Sequence, residues 1–144
     1  MLKLETVEEI IEFAIAREQH AYELYKSIAE REVYSHVAEL CEQLAKEELE
    51  HKQKLQQEFM KQGYSDLSID VSDYIVHNNK KMIFMDSQEF LNFAIGKEEM
   101  AFKLYKKLAE RTAKNQCKDV FVALAVEEEK HKEFLQKKLE DLLK

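Results

Sequence analysis

Glutamate, glutamate and histidine occur twice in this chain at the same spacing. The two sets, separated by 80 residues throughout, are Glu18, Glu48 and His51, and Glu98, Glu128 and His131. On a helix, a Glu-x-x-His step places both side chains on one face, one turn apart. Two such steps and two further glutamates can therefore converge on a pair of metal ions. Four carboxylates and two imidazoles are a suitable set of ligands for a di-metal site.

The repeat extends well beyond these six residues. Aligning residues 12–57 with residues 92–137 gives 19 identities in 46 positions without a gap. We interpret the chain as an internally duplicated helical hairpin, with repeats of about 6–62 and 86–142. Two long copies can close against each other as a bundle, whereas a solenoid needs three or more shorter repeats.

Composition predicts a single all-α domain over residues 1–144. The chain is 45% hydrophobic, which is enough to bury a core. It contains no Pro and only two Gly, so few of the residues that interrupt helices are present. The formal net charge of -7 argues against binding to nucleic acid or to an acidic membrane surface.

The cysteines and the amino terminus predict a reduced, cytoplasmic protein. Cys41 and Cys117 form no Cys-x-x-Cys motif and fall on apolar helix positions, which favours buried thiols over metal-binding ones. The first residues turn acidic before any apolar run develops, unlike a signal peptide. No stretch approaches the roughly 20 apolar residues of a spanning helix, so we expect no membrane association.

Four helices should position the six candidate ligands. Thr6 and Asp86 begin equivalent capping boxes for the first and third helices, and Ser35 and Asn115 are predicted N-caps for the second and fourth. Each candidate ligand takes the place of an apolar residue on a core-facing stripe; Glu18, for example, sits where a Leu is expected. All six side chains are therefore predicted to point inward, at matching heights along the bundle.

Residues of about 63–86 interrupt the helical pattern. Gly63 suits a helix C-terminus, and the serines and aspartates that follow it favour turns. A connector of this length can run the length of a helix and start the third helix parallel to the second. The expected fold is an all-α four-helix bundle of two hairpins joined by one long crossover.

On these residues the chain resembles the ferritin-like di-iron carboxylate proteins, and among them the rubrerythrin-type domain. The resemblance implies two iron ions, with one imidazole for each. It further implies that Glu18 and Glu98 are single ligands and that Glu48 and Glu128 bridge the two ions. Oxygen-rich ligands suit iron or manganese, and zinc stays open as an alternative.

Further residues could support these ligands. Tyr25 and Tyr105, seven residues after the inward glutamates, either donate to the carboxylates, as in rubrerythrin-like proteins, or pack as core residues. Glu47 and Glu127 either orient the histidines or face solvent, and the solvent-facing position is favoured. The remaining histidines are interpreted as non-ligands: His20, His36 and His77.

The resemblance implies an oxidoreductase that reduces peroxide or dioxygen and protects against oxidative stress. Because the chain has no Cys-x-x-Cys motif, electrons are expected from a separate partner such as rubredoxin. Rubrerythrins carry a further Glu three residues after the third-helix ligand, and here that residue is Ala101. The remaining six ligands also resemble the ferroxidase centre of bacterioferritins, which acts on ferrous iron.

The remaining expectations concern a third possible function, haem and the oligomeric state. A non-catalytic metal-binding module has the same ligands but no turnover. Leu49 stands where bacterioferritins carry a haem-ligating Met, so no haem is expected. Family members commonly dimerise, and a homodimer is predicted, although the outer helix surfaces are mostly charged.

Overall fold

Four helices form the bulk of the described part of the chain. The computed structural model describes residues 3–61, 66–70, 86–111 and 115–144, and side chains within 9–58, 86–111 and 118–144. The helices are α1 (Val7–Ala29), α2 (Ala38–Lys61), α3 (Ser87–Arg111) and α4 (Asn115–Leu142). Long helices follow from a sequence rich in Glu, Lys, Leu and Ala. Among the described residues, no helix combines the length and apolar character needed to cross a membrane.

The start of α3 is fixed by a side-chain cap. Asp86 directly precedes the helix, and its Oδ1 accepts a hydrogen bond from the backbone N–H of Glu89 at 2.8 Å. This bond satisfies one of the amide groups that a helix leaves free in its first turn. The predicted capping of α3 by Asp86 is therefore present. α1 begins at Val7, directly after Thr6, as the capping pattern predicted.

The start of α2 differs from the prediction. Ser35 does not cap α2; it lies inside a 3-10 segment, Glu32–Val37, and α2 begins at Ala38. Within this segment Tyr34 has non-helical angles, φ -106° and ψ 24°, and is fully buried. Its ring packs against Phe90 of α3 with centroids 6.1 Å apart. Burial of Tyr34 in the turn thus outweighs the local preference for a serine cap.

Two clusters of apolar side chains show how the helices run. One joins the first half of α1 and of α4 to the second half of α2 and of α3; it includes Ile11, Leu55, Leu108 and Phe121. The other joins the remaining halves and includes Ile28, Leu44, Leu91 and Leu135. α1 is therefore antiparallel to α2, and α3 to α4, while α2 and α3 run in the same direction. This arrangement confirms the predicted bundle with a crossover between its two hairpins.

The structure also contains a short two-stranded β-ribbon beside the bundle. The sequence analysis did not predict this ribbon. β1 (Lys3–Thr6) pairs antiparallel with β2 (Asp66–Asp70), with an irregularity between Leu4 and Thr6. The ribbon connects the beginning of the chain to the crossover. Most of the predicted crossover, about 63–86, lies outside the described residues.

Candidate metal centre

The six candidate ligands meet inside the bundle, between the two apolar clusters. α1 and α3 each contribute a glutamate, and α2 and α4 each contribute a glutamate and a histidine. All six residues are at most 2% exposed: Glu18, Glu48, His51, Glu98, Glu128 and His131. They are buried because each lies on the core-facing stripe of an otherwise amphipathic helix.

The donor atoms fall into two overlapping groups. Within each group, one donor atom from every residue lies within 4.8 Å of the others. The groups are Glu18, Glu48, His51 and Glu128, and Glu48, Glu98, Glu128 and His131. Glu48 and Glu128 belong to both groups. The two groups could hold two adjacent metal ions and would share two carboxylates.

Both imidazoles direct Nδ1 at the carboxylates. His51 Nδ1 lies 2.8 Å from Glu128 Oε1 and 3.2 Å from Glu48 Oε1. His131 Nδ1 lies 3.3 Å from the same Glu48 oxygen and 3.6 Å from Glu98 Oε2. The two rings are stacked, with centroids 5.4 Å apart and planes 14° apart. The histidines therefore form one side of the centre.

Burial and mutual repulsion perturb the ionisable groups. Burial alone would lower the pKa of both histidines, but the adjacent carboxylates outweigh it and raise the pKa of His51 to about 10 and that of His131 to about 11. Burial and neighbouring carboxylates raise the pKa of Glu128. Burial opposes ionisation of Glu48 as well, but Arg17 and the histidines hold its pKa well below the ordinary value. The cluster therefore favours positive charge at its centre.

Arg17 supplies such a charge, and the sequence analysis missed it. Its Nη1 donates to Glu48 Oε2 at 2.9 Å and to Glu128 Oε2 at 3.2 Å. Glu18 Oε1 lies 3.3 Å from Nη1, and Glu98 Oε2 lies 3.7 Å from Nη2. Arg17 lies one residue before the core stripe, where an arginine is ordinarily solvated. Only the length of the arginine side chain indicated that its guanidinium can reach inward.

The two tyrosines contact glutamates of the opposite hairpin. Tyr25 of α1 donates its O–H to Glu98 Oε1 of α3 at 2.5 Å. Tyr105 of α3 donates to Glu18 Oε1 of α1. Both phenols are buried, and burial together with the carboxylates raises their pKa well above the ordinary value. Each tyrosine thus holds a neutral O–H against a carboxylate across the bundle.

Glu47 lies near Nε2 of His131, the ring nitrogen that points away from the carboxylates. Its Oε1 is 3.5 Å from His131 Nε2, so it approaches the histidine of the other hairpin rather than His51. Glu47 and Glu127 are half-buried and form a further acidic group with His131. A contact of this length is too long for a well-formed hydrogen bond, although it lies on the nitrogen that a metal-bound Nδ1 leaves free.

The donor atoms suit metal ions by a direct structural criterion. Buried polar groups normally have hydrogen-bond partners. Among the described residues, several atoms at this centre have none, namely Glu18 Oε2, Glu48 Oε1, Glu98 Oε2 and both ring nitrogens of His131. Four of these five atoms face the space between the carboxylates and the imidazoles. They are oxygen and nitrogen atoms of the kind that divalent ions bind.

The rubrerythrin family model matches residues 9–84 and 89–144, which is most of the chain. The chain belongs to the rubrerythrin family. No curated protein sequence matches it significantly.

Two solved structures resemble this rubrerythrin-family chain. An uncharacterised conserved protein from Magnetospirillum magnetotacticum MS-1 has 20% sequence identity and a TM-score of 0.72, with 94% of each chain covered. A hypothetical protein from Pyrococcus furiosus has 26% identity and a TM-score of 0.68, covering 94% of this chain and 89% of its own. Both likenesses agree with the ferritin-like bundle.

The residues interpreted as non-ligands lie away from the rubrerythrin-type centre where the structure describes them. His20 and His36 are exposed, and His77 lies outside the described residues. Ala101, at the place of the additional rubrerythrin glutamate, is buried in an apolar cluster. Cys41 is buried as predicted, whereas the Cys117 side chain lies outside the described part of the chain.

Proposed function

We propose that this rubrerythrin-family protein binds two iron ions and reduces peroxide or dioxygen. The observation that carries the proposal is the pair of overlapping donor groups that share Glu48 and Glu128. Glu18 and His51 complete one metal position, and the equivalent residues of the second repeat complete the other. Carboxylates outnumber imidazoles two to one, which suits iron better than a structural zinc site.

The chain's own residues arrange the proposed chemistry. A pair of bound ferrous ions would supply two electrons on oxidation to the ferric state, which together with two protons is enough to cleave hydrogen peroxide to water or to reduce dioxygen to hydrogen peroxide. Tyr25 and Tyr105 orient the glutamates of the opposite hairpin through their O–H groups. The two apolar clusters keep bulk water from the ligands, all of which are at most 2% exposed. We propose that a separate redox protein such as rubredoxin returns the electrons.

A ferroxidase is the second candidate, and Ala101 favours it. A buried alanine stands where rubrerythrins carry an additional glutamate, so six ligands remain, as in bacterioferritin ferroxidase centres. Such a protein takes ferrous iron as its substrate. The third candidate is a module that holds metal without turnover.

Stopped-flow mixing of the protein loaded with ferrous iron separates the three candidates. If the protein reduces peroxide, its ferrous ions should be oxidised faster by hydrogen peroxide than by dioxygen. A ferroxidase is expected to prefer dioxygen and to take up further iron after each oxidation. If neither oxidant reacts, the third candidate, a module that holds metal without turnover, is supported. Analysis of metal in protein from its native source then identifies the physiological ion.

Replacing the shared carboxylates tests the site itself. The double variant Glu48→Ala and Glu128→Ala removes the two residues common to both donor groups. We expect it to lose binding of two metal ions per chain, measured by equilibrium dialysis and elemental analysis. Glu50→Ala is the matched control, because Glu50 lies on the same helix but is exposed. Two ions per chain in the double variant would contradict the assignment.

A further inference from the structure

The carboxylate centre contains a cation that belongs to the chain itself. The Arg17 guanidinium lies within 3.7 Å of an oxygen of each of the four glutamates, and its side chain is only 11% exposed. Burial alone would lower the pKa of Arg17, but the four carboxylates outweigh it and raise that pKa well above the ordinary value. Arginine thus stays charged here, and a buried guanidinium is tolerated only beside such partners.

Arg17 and the imidazoles contact different oxygens of the two shared carboxylates, Glu48 and Glu128. Arg17 bonds Oε2 of both Glu48 and Glu128. The Oε1 atoms of the same two residues face the imidazoles: Glu48 Oε1 is 3.2 Å from His51 Nδ1 and 3.3 Å from His131 Nδ1. Glu48 and Glu128 belong to both donor groups, and they would need both oxygens to hold two ions in the usual bridging mode. The oxygens that Arg17 bonds would then be ones that the ions need.

The second repeat has a different residue and a different contact at this position. Lys97 aligns with Arg17 at the 80-residue offset. Its Nζ lies over the Phe93 ring, 5.7 Å from the ring centroid. Burial and the nearby Arg17 charge lower the pKa of Lys97 to about 8. Arg17 is thus a feature of one repeat only, and Lys97 is a natural control for it.

We propose that Arg17 is a built-in counter-cation that metal ions must displace from Glu48 and Glu128, so that it weakens metal binding while stabilising the metal-free protein. The proposal rests on the metal centre proposed above, although not on the reaction that the centre performs. Two divalent ions already balance four carboxylates. If Arg17 stayed in place, it would add an unbalanced positive charge in a buried site, which is costly.

Zinc titration of two matched variants tests this role. Arg17→Met removes the charge and keeps an apolar stem, and Lys97→Met makes the same change at the equivalent position. Competition with a chromophoric chelator measures zinc affinity. We expect Arg17→Met to bind zinc at least about tenfold more tightly than wild type, because the ions no longer have to displace a charged, hydrogen-bonded guanidinium from Glu48 and Glu128. Lys97→Met should change affinity by less than about threefold, and Arg17→Lys should remain close to wild type.

The direction of the change separates this role from a purely structural one. Loss of a merely structural residue would weaken zinc binding and protein stability together. Here the metal-free Arg17→Met protein should melt at a lower temperature while its zinc affinity increases. Unchanged or weaker zinc binding in Arg17→Met overturns the proposal but leaves the metal centre intact. Absence of both zinc and ferrous iron binding in wild type would overturn both.

A second measurement avoids any folding defect of the variant. In wild-type protein labelled with nitrogen-15, the guanidinium signals of Arg17 can be assigned by comparison with Arg17→Lys. Zinc is diamagnetic, so these signals stay observable during the titration. We expect the hydrogen-bonded guanidinium signals to disappear or shift as two zinc ions bind per chain. Signals unchanged at full zinc loading would show that Arg17 is not displaced.

Discussion

At the residue scale, the centre combines charges that would each be unfavourable alone. Four buried carboxylates are tolerated because Arg17, two histidines and two tyrosine hydroxyls surround them. Removing a partner from such a group leaves a desolvated atom without a hydrogen bond. The tyrosines and Cys41 allow two tests that leave the candidate ligands in place.

The tyrosine hydroxyls should contribute to stability through the glutamates they contact. Tyr25→Phe and Tyr105→Phe each delete one buried O–H donor to a carboxylate. We expect each to lower the free energy of unfolding of the metal-free protein by about 2 kcal/mol, as for hydrogen bonds to charged groups. Urea denaturation measures the loss. Tyr22→Phe is the control, since Tyr22 is half-buried beside Lys26, and an equal loss there would contradict the assignment.

Cys41 should be inert in the folded protein. The residue is fully buried, and burial raises the pKa of its thiol to about 12. The folded protein therefore favours the neutral thiol. The contribution of this thiol to folding stability is complete below the ordinary cysteine pKa and is lost as the pH rises towards 12. In a Cys117→Ser background, alkylation at pH 8 should be slow in native protein and fast in urea. Equal rates in both conditions would contradict burial of Cys41.

At the element scale, each helix carries one polar stretch between two apolar ones. The polar residues lie at the same level because the two helices of each hairpin run in opposite directions from the turn that joins them. The apolar clusters on both sides hold that level fixed, through contacts such as Tyr25 with Phe90 at 6.3 Å and Tyr105 with Phe121 at 6.3 Å. The start of each helix consequently matters for the height of its ligands.

The cap of α3 provides a test at this scale. Asp86→Ala deletes the bond from the Glu89 amide and should lower the free energy of unfolding by about 1 kcal/mol. Asp86→Asn keeps an accepting oxygen and should lose only a small part of that stability. Chemical denaturation with a constant m-value measures both variants. Equal losses would show that the carboxylate charge, rather than the cap bond, stabilises the helix start.

At the whole-molecule scale, the centre exists only when both hairpins close. The hydrogen bonds of Tyr25 and Tyr105 with glutamates and the shortest histidine contact join the first repeat to the second.

The outer face of α4 carries apolar side chains that are 46–49% exposed: Val122, Val126 and Phe134. The predicted homodimer stays a prediction.

Metal removal should therefore destabilise the whole bundle. If metal binds the folded centre as proposed, free metal at one thousand times its dissociation constant adds about 4 kcal/mol of stability. Chelation should lower the melting temperature, and added ferrous iron under anaerobic conditions should restore it. The Glu48→Ala, Glu128→Ala double variant should melt at the same temperature with and without metal. A metal-dependent shift in that variant would place the binding elsewhere.

The sequence alone determined the helices, the crossover and the six inward ligands. These depend on local periodicity and on a repeat in which Glu18 and Glu98, for example, interrupt equivalent apolar stripes. The position of Ser35 was predicted wrongly, because burial of Tyr34 depends on Phe90, which is distant in sequence. The β-ribbon likewise joins segments about 60 residues apart, beyond the reach of local patterns.

Only the tertiary structure decided which groups meet at the centre. Sequence placed Tyr25 near a carboxylate, but the bundle pairs it with Glu98 of the other hairpin rather than with Glu18 of its own helix. The sequence analysis did not single out Arg17, whereas in the assembled bundle its guanidinium lies against the four carboxylates. The physical reason is the same in both cases. Helical periodicity fixes the direction in which a side chain leaves its helix, but its partners depend on how four helices pack together.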